Sequence, residues 1–390
     1  MTQLSQRAAR IQQSEIRVMS VECERVRGVN LAQGICDTEV PEPVRRAARE
    51  AIDRGRNQYT RLDGIAELRR AIAAKMQRYN GVAADAERGV VVTTGSTGGF
   101  YSTCLALLNP GDEVIVFEPY YGYHVHTLEA LGCVPRYITL APPDWRFTAD
   151  DLERLASPRT RAVIINTPAN PSGKVFTRAE LELIAEFARR RDLFCLTDEI
   201  YEYFLYNGAE HISLASLPGM AERTITISGF SKTFSITGWR VGYVVCEPRW
   251  AYAIGYFSDL AYICAPSPFQ HAVAAGLNEL DDSFYRALAA EYAVKRKLLC
   301  DTLHDVGLEP VLPAGSYYTL ADASALPGAT SKEKAMALLE ITGVAAVPGA
   351  AFYSGGSGEN LLRFCFAKTD ADLRDGCQRL HQLKRAAVSL

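Results

Sequence analysis

The residues with the most evident chemistry come just after short apolar runs of the sequence. Lys232 follows the run at residues 224–228, Arg240 lies eight residues further on, and Asp198 directly follows the run at residues 193–197. A lysine whose pKa is depressed by burial and by nearby cations can form a Schiff base with an aldehyde. A carboxylate that ends a wholly apolar run is partly desolvated and needs a cationic partner. Lys232 and Asp198 are therefore candidate site residues, although a lone lysine is more often a surface residue.

A turn of small residues comes after another apolar run, residues 89–93. The turn has the sequence TGSTGG at residues 94–99, includes Ser96 and Thr97, and leads into a predicted helix. Free N–H groups at the start of a helix favour an anion, and small side chains let a phosphate approach. The turn lacks both the G-x-G-x-x-G pattern of dinucleotide sites and the G-K-S/T ending of a Walker A loop. It is consistent either with phosphate binding or with a simple tight turn.

Three further side chains come shortly after such runs: Tyr121, Asn170 and Tyr201. Each has a local explanation, since Tyr121 would serve as a rim aromatic and Asn170-Pro171 as a turn. Ligands of open parallel sheets, however, bind outside the carboxyl ends of the strands. Five of the apolar runs thus deliver polar or aromatic groups to one predicted edge.

Together these groups describe a holder for a flat, phosphorylated, basic aromatic aldehyde. Lys232 would hold the aldehyde, Asp198 would meet a ring nitrogen, and Arg240 would clamp the phosphate together with the small-residue turn. A side-chain amide and a phenol would form hydrogen bonds with a ring hydroxyl. That ligand is pyridoxal 5′-phosphate, to which proteins contribute a Schiff-base lysine and an acidic partner for the ring nitrogen.

The apolar runs also predict the fold. Seven of them, rich in Val and Ile, are strand candidates at residues 89–93, 113–117, 134–139, 162–166, 193–197, 224–228 and 241–245. Most are too uniformly apolar to have one face in water, and helical patterns separate them, such as the helix that Thr177 and Glu180 would cap. We predict an α/β fold whose large domain has a mainly parallel seven-stranded sheet covered by helices on both faces. The short segment before the last strand suggests one antiparallel member.

The residue pattern of the sequence changes near Asp282, where a long charged helical stretch begins. We predict a large cofactor-binding domain at residues 45–285. A smaller α/β domain would combine residues 1–44 with residues 286–390.

Composition excludes several classes of protein. The 390 residues carry 42 Lys and Arg against 45 Asp and Glu, and this net charge of -3 argues against nucleic acid as a partner. The sequence has no apolar run of transmembrane length and no apolar core near its start, so we expect neither a membrane partner nor a secretory signal. Ten cysteines without a C-x2-C pair predict buried thiols, a cytoplasmic location and no metal site.

The segment SGFSKTFSITGWRVGY at residues 228–243 resembles the lysine-site signature of class I/II pyridoxal-phosphate-dependent aminotransferases, which are fold type I enzymes. The resemblance spans nearly the whole chain. It extends from Gln33-Gly34 through Asn57-Gln58-Tyr59 and ANPSG at residues 169–173 to Leu362-Arg363-Phe364.

The resemblance implies a role for each matching residue. Lys232 would form the Schiff base, Asp198 would pair with the pyridine nitrogen, and Tyr121 would stack on the ring. Asn170 and Tyr201 would bind the ring hydroxyl. The phosphate would be held by Ser96, Thr97, Ser231 and Arg240.

The resemblance also implies how substrate and subunits are arranged. Arg363 would grip the substrate α-carboxylate beside the backbone of Gly34. Tyr59 would reach the phosphate of the neighbouring subunit, which implies an obligate homodimer. Relatives commonly have Pro where this chain has Cys36, so the loop over the mouth of the site is expected to differ.

The implied reaction is ping-pong transfer of an amino group from an α-amino acid to a 2-oxo acid. An aromatic rim of Tyr120, Tyr123, Tyr317 and Tyr318 would suit a neutral or aromatic side chain, and we interpret the histidines His124, His126 and His271 as structural or rim residues. No second arginine is placed for a distal carboxylate by sequence alone. Elimination, replacement, cyclisation or oxidation on the same cofactor is the alternative, and a non-catalytic aminotransferase-like sensor domain is a remote one.

Overall fold

The computed structural model describes residues 13–387 together with Thr2, Ser5 and Ala8. The helices within these residues, single turns aside, are α1 (Glu15–Arg25), α2 (Glu42–Asp53), α3 (Ala66–Lys75), α4 (Gly95–Leu107), α5 (Gly122–Leu131), α6 (Ala149–Leu155), α7 (Arg178–Arg191), α8 (Pro248–Tyr262), α9 (Ser267–Glu279), α10 (Asp282–Asp305), α11 (Ser331–Thr342), α12 (Asp370–Leu380) and α13 (Gln382–Ala387). The strands are β1 (Val29–Asn30), β2 (Val90–Thr94), β3 (Glu113–Glu118), β4 (Val134–Thr139), β5 (Thr160–Asn166), β6 (Phe194–Asp198), β7 (Thr224–Gly229), β8 (Val241–Val245), β9 (Glu309–Val311), β10 (Tyr318–Asp322), β11 (Val344–Ala345), β12 (Val347–Pro348) and β13 (Leu361–Cys365).

The central sheet has seven strands in the order β2-β8-β7-β6-β5-β3-β4. All neighbours pair in parallel except β8, which is antiparallel to both β2 and β7. Only the segment between Gly229 and Val241 joins β7 to β8, too little for a helical crossover. The seven predicted strands and the single antiparallel member are confirmed.

Helices cover both faces of this sheet, as the apolar runs predict. Along β3, Val114 and Val116 pack in one apolar cluster with residues of α4, α5 and α8, whereas Ile115 and Phe117 pack in a second cluster with residues of α6 and α7. Successive side chains of a strand point to opposite faces, so a strand between two helical layers needs apolar residues at every position. The predicted capping box at the start of α7 is also present, because the Thr177 side chain and Glu180 each accept the other's backbone N–H.

A smaller antiparallel sheet, in the order β12-β13-β10-β9, forms from the C-terminal third of the chain. The N-terminal segment joins this part, since Val29 and Asn30 pair in parallel with Val344 and Ala345. The division at residues 45 and 285 stays a prediction. No helix in the described ranges is long and apolar enough to cross a membrane, and all ten cysteines are unpaired.

A buried ionic cluster lies next to the end of β6. The ammonium Nζ of Lys75 lies 2.5 Å from Oε1 of Glu202 and 3.0 Å from the hydroxyl of Tyr243. Glu199 contacts the imidazole Nε2 of His211 at 2.9 Å and accepts from the Thr197 hydroxyl at 2.9 Å. Buried charges are tolerated only when they are paired and hydrogen-bonded, a condition that Lys75, Glu199 and Glu202 meet.

Replacement of Lys75 by Met should lower the free energy of unfolding by about 3–5 kcal/mol, because it leaves the Glu202 carboxylate buried without its cation. Urea unfolding followed by circular dichroism measures the change. The matched control is Lys297→Met, since Lys297 pairs with Asp301 on the exposed face of α10 and such pairs contribute about 1 kcal/mol or less. Equal effects of the two substitutions would contradict the role given to the buried pair.

Candidate active site

A cavity of about 550 Å³ opens at the carboxyl ends of the parallel strands. It brings together all but one of the residues that the sequence analysis nominates to contact the cofactor or the substrate carboxylate. These are Gly34, Ser96, Thr97, Tyr121, Asn170, Asp198, Tyr201, Ser231, Lys232, Arg240 and Arg363. The exception is Tyr59, which lies outside the cavity with 79% of its surface exposed.

Lys232 lies in the turn after β7, where the chain leaves the sheet edge. Its ammonium donates to the carbonyl of Gly34 at 3.1 Å and lies 5.7 Å from the centre of the Tyr317 ring. Burial lowers the pKa of Lys232 from its ordinary value. A lowered pKa increases the fraction of neutral amine, which is the nucleophilic form.

Asp198 ends β6 and is buried. Its Oδ2 atom lies 3.0 Å from Nε2 of His124, and its Oδ1 atom accepts from the backbone N–H of Ile200 at 3.3 Å. His124 is itself buried on α5 and packs against the rings of Phe100 and Tyr121. His124 is thus a site residue, structural in that it orients Asp198. No spacing in the sequence links these two residues.

The small-residue turn forms the start of α4, where backbone N–H groups lack helical partners. The guanidinium of Arg240 lies against this turn, because a side chain at Gly95 would come within 2.3 Å of it. Arg240 donates to the carbonyl of Thr237 at 2.9 Å and has no carboxylate partner among the described residues. Ser96 and Thr97 line the cavity beside it. The helix start and the guanidinium of Arg240 together can bind an anion.

Arg363 lies on β13 and is fully buried. Its guanidinium lies 4.3 Å from the centre of the Tyr318 ring and 5.0 Å from that of Phe352. It donates to Oδ1 of Asn170 at 2.9 Å and to the backbone carbonyl of Ala32, and its Nε has no hydrogen-bond partner in the described ranges. A buried guanidinium needs an anionic partner, and Arg363 contacts no carboxylate among the described residues. We therefore expect the carboxylate of a ligand to bind Arg363.

Aromatic and polar groups complete the wall. The hydroxyls of Tyr201 and Tyr318 lie 3.2 Å apart, and burial raises the pKa of Tyr201 well above its usual value, so Tyr201 stays a neutral donor. Gly34 permits the close approach of its loop, since a side chain there would overlap the Tyr318 hydroxyl. Tyr121 lines the cavity and stacks on Tyr123 with ring centres 5.3 Å apart.

Two expectations about the mouth of the site are refined. Tyr123 and Tyr318 line the cavity as predicted. Tyr120 and Tyr317 are not lining residues: the hydroxyl of Tyr120 donates to the carbonyl of Tyr353, and Tyr317 is fully buried. Cys36 is buried, and burial raises the pKa of its thiol. A buried thiol with a raised pKa packs rather than reacts.

Comparison with known proteins places the chain in a family. Residues 26–380 match the model of the family described as aminotransferase class I and II. The aromatic-amino-acid aminotransferase 2 of Thermococcus litoralis is 35% identical over 386 residues, which cover 97% of this chain and 98% of the relative. The methionine aminotransferase of Escherichia coli is 33% identical over 365 residues, or 94% of each chain. The structure of N-succinyldiaminopimelate aminotransferase from Mycobacterium tuberculosis superimposes with a TM-score of 0.94 at 37% identity and covers 98% of this chain and all of the other.

The chain therefore belongs to the class I and II aminotransferases and has the fold type I architecture of that family. It is an enzyme that depends on pyridoxal 5′-phosphate and transfers amino groups between amino acids and 2-oxo acids. The cavity fits this cofactor. Arg240 lacks an anion, Asp198 can face a ring nitrogen, and the neutral form of Lys232 can bond to an aldehyde.

Replacement of Lys232 by Ala should abolish the visible absorbance that the bound cofactor acquires on bonding to the lysine, and should lower turnover by about 10³-fold or more. Absorbance spectroscopy and peptide mapping after borohydride reduction measure both the bond and its position. The control is Lys297→Ala on the surface of α10. A Lys232→Ala protein that retains the absorbance band would overturn the assignment.

Proposed function

We propose that this enzyme moves the amino group of a neutral or aromatic α-amino acid to a 2-oxo acid in two half-reactions of ping-pong type. The observation that carries the proposal is the meeting of Lys232, Asp198, Arg240 and Arg363 in one cavity. Arg240 and Arg363 would supply positive charge for a phosphate and a carboxylate. Asp198 would supply negative charge for a ring nitrogen, and Lys232 would supply an amine for an aldehyde.

Three groups would hold the cofactor. Arg240 and the start of α4 bind its phosphate, and the buried carboxylate of Asp198 keeps its ring nitrogen protonated. His124 fixes the direction of that carboxylate through the 3.0 Å contact. When bound, pyridoxal phosphate withdraws electrons from the carbon that carries the substrate amine, which makes the hydrogen on that carbon acidic.

Arg363 and Lys232 would act on the substrate. Arg363 binds the α-carboxylate in a bidentate manner and so fixes the direction of the bond to that hydrogen. The amine Nζ of Lys232 would then accept the proton from that carbon as a base and would donate it as an acid to the former aldehyde carbon of the cofactor, on the other side of the amine nitrogen. Burial lowers the pKa of Lys232, which favours the neutral amine that the first of these steps needs.

The preference for neutral or aromatic donors rests on the apolar part of the cavity wall. This part includes Tyr123, Tyr318, Ile16 and Ile35, which offer apolar surface to a side chain. We also propose a cytoplasmic location, which the ten unpaired cysteines support.

Single-turnover mixing of the holoenzyme with a panel of amino acids tests the function. Transamination should convert the cofactor to its pyridoxamine form in step with release of one 2-oxo acid, and neutral or aromatic amino acids should react fastest. Asp198→Ala should bind the cofactor yet react at least about 100-fold more slowly, because the ring nitrogen loses its counter-charge. Turnover of amino acids without any pyridoxamine form would favour elimination, replacement, cyclisation or oxidation instead.

We further propose a homodimer in which Tyr59 reaches the phosphate site of the neighbouring subunit. An apolar strip on α8 supports it, since Tyr252, Tyr256 and Leu260 follow one another at intervals of four residues and are all exposed. The C-terminal end of α8 lies close to the small-residue turn, because the ring of Tyr262 lies next to Gly98 at the start of α4. The exposed position of Tyr59 suits a residue that acts in another subunit.

Tyr59→Phe should weaken cofactor binding by about tenfold, because one hydrogen bond to a charged phosphate is lost. Titration with pyridoxal phosphate measures this, and Tyr137→Phe on the edge strand β4 is the control for loss of a partly exposed tyrosine hydroxyl outside the strip. A hybrid dimer of one Tyr59→Phe subunit and one Lys232→Ala subunit should bind with normal affinity at its single intact lysine, since the tyrosine comes from the other chain. Sedimentation as a monomer, or weak binding by the hybrid, would refute the arrangement.

A further inference from the structure

The carboxyl end of β3 is hydrogen-bonded to a segment that follows β12 in the chain, residues 352–354. The backbone N–H of Tyr120 donates to the carbonyl of Phe352 at 2.8 Å, and the Tyr120 hydroxyl donates to the carbonyl of Tyr353 at 3.0 Å. The carboxylate of Glu118 accepts from the backbone N–H of Ser354 at 2.7 Å. A strand of the central sheet thus holds three consecutive residues that lie next to the smaller sheet.

Glu118 is the charged member of this connection. It ends β3 and is buried, with 2% of its surface exposed. Besides the N–H of Ser354, its carboxylate accepts from the hydroxyl of Thr139 at 2.7 Å, and it forms no ion pair with the residues that the structure describes. A buried carboxylate is stable only when donors surround it, and hydrogen bonds to a charged acceptor are stronger than neutral ones. Glu118 therefore fixes the position of Ser354 relative to β3.

The chain beyond Ser354 does not fix this position by itself. Gly355 and Gly356 follow directly, with φ angles of 70° and 83°, and residues 355–357 are exposed. Glycine gives the backbone more conformational freedom than any other residue. The hydrogen bonds to Glu118 and Tyr120, rather than the loop that follows, therefore hold the 352–354 segment in place.

Phe352 connects this segment to the substrate site. It is buried, and the centre of its ring lies 5.0 Å from the guanidinium of Arg363. The terminal nitrogens of Arg363 donate to Asn170 and Ala32, whereas its Nε has no hydrogen-bond partner in the described ranges. Packing of the flat guanidinium against an aromatic ring therefore contributes to its orientation.

We propose that Glu118 is a positioning residue for substrate binding. By holding the 352–354 segment it keeps Phe352 against Arg363, and so it orients the guanidinium towards the substrate carboxylate. The inference rests on the proposed function, in which Arg363 binds the α-carboxylate. Bidentate binding requires the guanidinium and the carboxylate to lie in one plane, so a guanidinium that is free to tilt binds the carboxylate less tightly. The groups proposed to hold the cofactor lie on other elements and do not depend on this segment.

Equilibrium binding of 3-phenylpropanoate to the enzyme loaded with pyridoxal phosphate tests this inference. The compound has a carboxylate and an aromatic side chain but no amine, so its Kd reports carboxylate binding without turnover. Glu118→Ala should raise this Kd about tenfold in calorimetry. Glu118→Gln should recover most of the affinity, because the amide oxygen can still accept from the N–H of Ser354.

The matched control is Glu113→Ala at the other end of β3. Glu113 is equally buried and also accepts from a hydroxyl, that of Ser157 at 2.7 Å. It pairs with Arg159 and is not among the residues that line the active-site cavity. Glu113→Ala should therefore leave the Kd of 3-phenylpropanoate at the wild-type value.

Two further variants show whether Glu118 acts through Phe352. Phe352→Leu should weaken the binding of 3-phenylpropanoate, and Glu118→Ala should add little to that loss, because both substitutions act on one contact. Tyr120→Phe removes one hydrogen bond of the same connection without leaving a cavity, and should raise the Kd about threefold. In turnover of phenylalanine, these variants should raise KM more than they lower kcat.

An unchanged Kd in Glu118→Ala and Tyr120→Phe would overturn the inference, as would losses in Glu118→Ala and Phe352→Leu that simply add. A weaker affinity of Glu118→Ala for pyridoxal phosphate would also overturn it, because the effect would then not be confined to the substrate. Arg363→Ala separates these results from failure of the proposed function. If Arg363→Ala weakens the binding of 3-phenylpropanoate and the other variants do not, only the inference about Glu118 fails; if Arg363→Ala has no effect, the proposed substrate site fails and the inference fails with it.

Discussion

The whole site depends on cations that the protein leaves without internal counter-charges. Arg240, Arg363 and Lys232 reach the same cavity, and none of them contacts a carboxylate in the described part of the chain. Like charges that line one cavity repel each other and resist burial. The fold therefore places cations at one sheet edge, where a phosphate and a carboxylate can neutralise them. Cofactor and substrate recognition is in this sense a consequence of incomplete charge pairing.

Side chains that bind a ligand must be held in fixed positions. The buried ionic cluster next to the end of β6 holds the turn that carries Asp198 and Tyr201. At the end of β6 the chain turns, and Asp198 and Tyr201 face the cavity while Glu199 and Glu202 face the opposite side. The latter two are tied to Lys75, His211, Asn80 and Ser213 on other elements. The same short turn thus carries the residues that meet the ligand and the residues that anchor the turn, so motion of Asp198 would break buried hydrogen bonds on its far side.

The sequence predicted most of the sheet and most of the cavity wall, because both result from local rules. A strand between helical layers must be apolar throughout, and parallel strands bring the residues after their carboxyl ends to one edge. The sequence analysis named His124 as a structural or rim residue, but the contact of His124 with Asp198 escaped prediction because it joins distant elements. His124 lies on α5, which packs beside α4 and β4, whereas Asp198 ends β6 in the middle of the sheet. This long-range contact leaves no local pattern in the sequence.

The location of His124 indicates what exchange of this residue would disturb. His124 is buried among elements of the central sheet and contacts a carboxylate that faces the cavity, so its exchange would disturb a part of the site that every substrate shares. Tyr123 also lines the cavity but is exposed, and its exchange would disturb little besides one part of the cavity wall. A family that shares one cofactor site can diverge in substrate through such exposed positions without rebuilding its core.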